Sequence, residues 1–232
     1  FQTAVKLSPQ NPDAYFRLAL AFLQGQRDVE AKETLAVGLE AIPNSALLLY
    51  GQAMLYEHLG SYDLAIASAM KSIEQDPSRA DVWSLLGSLH AHEGRADDAD
   101  EAFRGALKLG ATVDHSVEYA EFLIHSGRYP EAEKILNEIG KSNGTNAAVN
   151  RSLGKLYKGE GKFDQAEVFL RRAVNEDPKN PEAHYALAIT LGRLHRDAEA
   201  KKELDSFTAA KEDRRFVRVL EIASDPVAAR EK

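Results

Sequence analysis

Three histidines, His58, His92 and His125, recur at gaps of 34 and 33 residues, a spacing that raises the question of a shared metal ion. Ligand nitrogens must come within about 2.0–2.1 Å of one ion, whereas packed helices lie roughly 8–10 Å apart. Histidines on successive helices therefore do not converge, and we expect no metal site; a pH-sensitive strip is the other chemistry such a column offers. His90 and His92 with Asp97, Asp98 and Asp100 form a second cluster of ligand types. The spacing places His90 on the apolar side of its helix, and the aspartates open the next helix, where the dipole favours anions. Four cations, Arg151, Lys155, Lys158 and Arg193, have the charge to hold a carboxylate. No glycine-rich phosphate loop, GxSxG, HExxH or paired-carboxylate motif occurs, so neither catalysis nor a cofactor is expected.

The elements that position these residues must come from a chain of 232 residues that is 44% apolar and 28% charged, a composition that folds. The net charge of −7 argues against a nucleic-acid partner, whose phosphates need neutralising. With no cysteine, disulfides, thiolate metal sites and cysteine nucleophiles are excluded. The most apolar stretch, Ser45–Tyr56, falls short of the roughly 20 residues a membrane span needs and carries Gly51 and Gln52, so no membrane insertion is expected. The compartment stays open between cytoplasm and periplasm. Phe1 lies inside a helical pattern and is not a Met, so the natural N-terminus is expected upstream. Asn143-Gly-Thr145 and Asn150-Arg-Ser152 match the glycosylation pattern, which counts only in a secreted eukaryotic protein.

An internal repeat decides the fold. Alanines stand at Ala31, Ala65, Ala99, Ala132, Ala166 and Ala200, with gaps of 34, 34, 33, 34 and 34. Gly60, Gly94, Gly127 and Gly161 each precede one of them by five residues, and Pro43, Pro77, Gly144 and Pro178 follow by twelve. With Pro12 as the first position, positions seven, eight and eleven read large, small, large, as in Leu187, Ala188 and Leu191: one face of a helix. The small residue at eight and the alanine at twenty let two helices approach where they cross. The glycine at fifteen ends the first helix because it accepts a left-handed backbone, and the proline at thirty-two ends the second.

These residues resemble the tetratricopeptide repeat (TPR) family, a 34-residue helix–turn–helix. Residues 147–180 (AAVNRSLGKLYKGEGKFDQAEVFLRRAVNEDPKN) match its pattern throughout, and the unit holding Trp83, Leu86, Gly87, Gly94, Ala99, Phe103 and Ala106 is close behind. The resemblance implies an all-α, right-handed α-solenoid, a superhelix of antiparallel hairpins. Six units are predicted, at 12–45, 46–79, 80–112, 113–146, 147–180 and 181–214, after the end of a truncated repeat at 1–11. Phe216, Val219, Leu220 and Ala223 predict a capping helix within 215–232, with a frayed tail beyond Asp225-Pro226. Departures occur at Gln26 and His195, which stand where the glycine belongs, and near 110–114 and 140–146, where Lys141–Gly144 reads as an exit turn. Pentatricopeptide repeats run at 35 residues and usually bind RNA through a basic groove, which fits neither this period nor this charge. The regular repeats and the absence of cysteine resemble bacterial members.

In TPR proteins the first helices line a concave groove that binds partners, and positions two, five, nine, twelve and thirteen are left free by the packing. They predict an apolar start with Phe16, Leu20, Tyr50 and Met54 as anchors, suited to a peptide or helix. An acidic middle follows (Asp81, Asp114, Glu118, Glu121), then a basic end of Arg151, Lys155, Lys158 and Arg193 as anion contacts. No three consecutive units supply the carboxylate-clamp set that some members use. Position six, the asparagine ladder of O-linked N-acetylglucosamine transferases, reads Arg17, Gly51, Leu85, Glu118, Ser152 and Ala186. The reading is a non-catalytic scaffold binding a peptide or helix of another protein, with self-association through the apolar groove as a further possibility. The alternative is the substrate-recruiting or regulatory arm of an enzyme whose catalytic domain lies elsewhere.

Overall fold

Six turns spaced 33 or 34 residues apart set the geometry of the molecule. The structure, a computed structural model, describes residues 2–110, 112–143 and 146–223. Among the described residues it has thirteen helices and no strand: α1 (Gln2–Leu7), α2 (Pro12–Gln24), α3 (Asp28–Ala41), α4 (Ala46–His58), α5 (Tyr62–Gln75), α6 (Ala80–His92) and α7 (Ala96–Lys108). These are followed by α8 (Val113–His125), α9 (Tyr129–Asn143), α10 (Ala147–Gly159), α11 (Phe163–Glu176), α12 (Pro181–Arg193) and α13 (Asp197–Ala223). The chain divides into two compact units between His115 and Ser116. No described helix is long and apolar enough to cross a membrane.

Each hairpin is made by the same local chemistry. The residue after the αL position donates its N–H back to the eleventh position: Arg27 to Phe22, Ser61 to Tyr56, Arg95 to His90, Arg128 to Leu123, Lys162 to Tyr157 and Arg196 to Leu191, all at 2.8–3.0 Å. This is the six-to-one bond of a Schellman turn, and it needs positive φ at the intervening residue. Gly60, Gly94, Gly127 and Gly161 meet that need at +69° to +77°, while Gln26 (+59°) and His195 (+58°) adopt it with a side chain. At the start of the second helix the next residue reaches forward: Arg27 to Glu30 at 2.8 Å, Arg95 to Asp98 at 2.7 Å, Arg128 to Glu131 at 2.6 Å and Arg196 to Glu199 at 2.7 Å. Asn11, Ser45, Asn146 and Asn180 cap first helices by accepting backbone N–H groups of the opening turn.

Packing follows the large–small pattern within each unit. Position eight (Ala19, Ala53, Gly87, Ala120, Gly154, Ala188) and the alanines at position twenty are all buried. A Cβ on Gly87 would lie 2.8 Å from the Phe103 ring, so the crossing of α6 and α7 admits no larger residue there without a shift. In the first unit Tyr15, Leu35, Leu48 and Leu55 form one core cluster and Ile66, Val82, Leu86 and Leu89 another. In the second, Leu170, Leu187 and Leu191 close around Ala166 and Ala200. Tyr15, Trp83 and His184, each at position four, donate to the carbonyl six residues earlier, of Pro9, Pro77 and Pro178. These bonds tie a first helix to the loop before it.

Two boundaries differ from the sequence expectation. α9 runs through Gly140 to Asn143, so Lys141–Asn143 complete a helix where an exit turn was expected. No proline breaks that stretch, and one glycine costs a helix only about 1 kcal/mol. α13 continues without a break to Ala223, so residues 215–223 extend the second helix of the sixth unit; Glu212 stands where four of the other repeats carry a proline or glycine, and 205–223 contain neither. The side chains of Phe216, Val219, Leu220 and Ala223, and all of 224–232, lie outside the described residues, as do Ala111, Gly144 and Thr145.

Candidate partner-binding faces

In the first unit, the free positions of α2 and α4 form an aromatic patch. Phe16 and Tyr50, both at position five of their repeats, stack with centroids 5.8 Å apart and planes at 26°. The Arg79 guanidinium lies 5.1 Å from the centre of the Tyr50 ring and is itself held by Asp81 at 2.6 Å. Phe16 also fills the space beside Gly51, where a Cβ would meet the ring at 3.0 Å. Leu20 and Met54, at position nine, are half-buried like the two rings. The four expected anchors are thus half-buried, and two of them, Phe16 and Tyr50, pack on each other.

The second unit carries charge at the same repeat positions. Glu121 of α8 accepts from Ser152 Oγ at 2.8 Å, from Lys155 Nζ at 3.2 Å and from Arg151 Nη2 at 3.3 Å. Burial pushes the Glu121 carboxyl up, but Lys155, then the Ser152 hydroxyl and Arg151, outweigh it and hold the group below its ordinary value. Glu182 of α12 approaches from the other side, 3.4 Å from Arg151 Nη1 and 3.8 Å from Lys155 Nζ. Lys158 is half-buried, and burial together with the charge of Lys155 lowers the pKa of its ammonium. Arg193 lies over the Phe163 ring at 5.3 Å.

The expected separation into an acidic middle and a basic end does not hold around Glu121, because the structure joins that acid to Arg151 and Lys155. Glu121 and Lys155 are 34 residues apart and hold position nine of successive repeats; opposite charge at one repeat position was the signal available in the sequence. Tyr185 and Ile189 hold positions five and nine of the sixth repeat, free positions that the sequence reading did not choose as contacts, and they are 49% and 40% exposed on α12. Tyr185 leans on Phe207, with centroids 5.4 Å apart.

The histidines have separate surroundings. His58 Nε2 lies 3.3 Å from Asp28, His92 stacks on Tyr62 at 5.2 Å, and His125 Nδ1 lies 2.7 Å from the Glu121 carbonyl. His90 is buried, and burial, then Arg95, lowers its pKa. Among the described residues no three His, Asp or Glu side chains are placed to hold a metal ion. Asn150 is fully buried and donates to both oxygens of Glu176, so that glycosylation match is closed to a modifying enzyme.

Sequence profiles of the tetratricopeptide repeat match residues 1–55 and 158–220, and a second such profile matches 50–114 and 94–144. A TPR repeat-containing protein of Dictyostelium discoideum is 27% identical over 184 residues, covering 74% of this chain and 66% of its own. The human protein O-mannosyl-transferase TMTC1 is 26% identical over 158 residues, 67% of this chain and 18% of its own. This chain therefore spans less than two thirds of the length of either relative. Among solved structures, the Cut9–Hcn1 hetero-tetramer of the APC/C superposes with a TM-score of 0.75 at 15% identity, covering 90% of this chain and 42% of that one.

Proposed function

We propose, for a chain that belongs to the tetratricopeptide repeat family, the role of a non-catalytic scaffold that takes a peptide or helical segment of another protein on its first-helix faces. The observation that carries this reading is the half-open Phe16–Tyr50 stack, an aromatic patch at positions the repeat packing leaves free. Aromatic and methionine side chains supply most of the contact energy where an amphipathic segment docks. Phe16, Leu20, Tyr50 and Met54 are the apolar anchors; Arg151, Lys155, Lys158 and Arg193 are the contacts for acidic groups.

The test is affinity capture with the purified chain as bait, wild type against Tyr50→Ala/Met54→Ala, with circular dichroism confirming equal helicity. A partner held by the wild type and lost by the variant places binding on the first unit. Retention by the variant removes the apolar anchors from the site, and release by moderate salt then moves it to the cations of the second unit. The match to a part of a protein O-mannosyl-transferase favours one second reading, the recruiting arm of an enzyme whose catalytic domain lies outside this chain. A catalytic domain in the full reading frame would establish it.

A further inference from the structure

The two carboxylates on the charged face of the second unit are not equivalent. The Glu121 side chain is 24% exposed and receives three donors within 3.3 Å. Glu182 is 61% exposed and reaches the same two cations only at 3.4 and 3.8 Å. A pair at that length whose carboxylate stands in solvent contributes little and is readily exchanged for another anion. Glu182 is also the second residue of α12, where the helix dipole favours a carboxylate with or without the cations. Meanwhile the donors outnumber the acceptors: Arg151 Nε is buried without a partner, and Lys158, one turn beyond Lys155, has no acidic partner among the described residues. Two cations therefore face one embedded carboxylate and one loose one, and a third, Lys158, stands one turn beyond Lys155 on the same helix.

We propose that Arg151, Lys155 and Lys158 form a receptor for an acidic side chain of a partner peptide, and that Glu182 occupies it in the free protein as an internal stand-in displaced on binding. The inference rests on the scaffold reading and names the chemistry of its ligand. Tyr185 and Ile189, one and two turns along α12 from Glu182, are exposed. The peptide that fits thus places an apolar side chain beside its carboxylate. Glu182 is itself a side-chain carboxylate, which selects an aspartate or glutamate of the partner over a chain terminus.

The experiment is fluorescence anisotropy on the full chain with a labelled, C-terminally amidated peptide of glutamates and leucines, and a counterpart with glutamine for glutamate. Glu182→Gln removes the competitor and tightens the glutamate peptide by about 1.5-fold to fivefold, the scale of a weak surface pair. Lys155→Met/Lys158→Met weakens it by about tenfold or more, while Lys201→Gln, on the exposed face of α13, leaves it unchanged. Circular dichroism keeps loss of fold apart from loss of binding. Unchanged or weaker binding by Glu182→Gln overturns the stand-in, and equal binding of the glutamine peptide overturns the receptor. Preference for a free C-terminus on the glutamine peptide overturns the side-chain ligand. None of these readouts uses the apolar face of the first unit, so the partner-capture test fails or succeeds independently.

Discussion

Phe16 with Leu20 and Tyr50 with Met54 in the first unit hold the same two repeat positions, five and nine, as Arg151 with Lys155 in the second. In one unit these positions carry stacked rings; in the other they carry cations gathered on Glu121. The hairpins beneath are alike: the same Schellman bonds, the same small residue at position eight, the same buried alanine at twenty. The contrast shows that the repeat fixes the helices through a few buried positions and leaves the first-helix face free to carry different side chains.

The largest effects should come from the shared part and be the same in kind for both units. Phe103→Ala, at the crossing of α6 and α7, should cost about 3–5 kcal/mol, and Leu170→Ala, at the crossing of α10 and α11, about 2–5 kcal/mol. Both side chains are almost fully buried. Urea unfolding measures the loss. A loss below about 1 kcal/mol at either site would show that one unit rests on something other than the repeat crossing.

The middle effect separates the two faces. Glu121→Gln should cost about 1–3 kcal/mol at neutral pH, because Arg151 and Lys155 lose the charge that holds them together. The sign with pH follows from the lowered Glu121 pKa. Its contribution is fully present above the ordinary value of 4.5 and is lost as pH falls through the depressed value of the folded state. The stability gap between wild type and Glu121→Gln should therefore narrow on acidification below pH 4.5. The gap between wild type and Tyr50→Ala should change less, since what that variant removes is a ring stacked on Phe16 and not a carboxylate. Parallel gaps would mean that the contrast between the faces is one of shape alone.

The hairpins and their order were legible in the sequence because the residues that make them do one job each. A glycine every 34 residues answers a need for positive φ, and a small residue at position eight answers a close crossing. Where the spacing failed, a nonlocal or graded effect decided. Gly140 looks like a stop signal but lies in a helix that runs to Asn143, since a single glycine only weakens a helix. Glu121 was read as part of an acidic stretch because charge was followed along the chain, whereas ion pairs form across repeats. Tyr185 and Ile189 were seen at free positions, yet their exposure depends on what packs over α12, and no spacing reports that. The identity of the repeat was therefore plain, and the pairing of its free positions was not.

The smallest effect tests whether the two units truly share their turns. Gln26 in the first and His195 in the second hold the left-handed backbone that glycine holds elsewhere, and both are exposed. A non-glycine residue in that region costs roughly 1–2 kcal/mol, while glycine gives back about 0.4–1 kcal/mol through the larger entropy of the unfolded chain. Gln26→Gly and His195→Gly should each leave a net gain of about 0.5 kcal/mol, a rise in melting temperature of about 1–2 °C for a chain of this size. Gly60→Ala and Gly161→Ala should lose a comparable amount, because a Cβ there meets no neighbour and only the backbone resists it. Equal gains at residues 26 and 195 would mean the turn is a purely local device, interchangeable between units. A gain at one alone would mean that the other side chain has been kept for a contact of its own, and the likeness of the two units would stop at the buried positions.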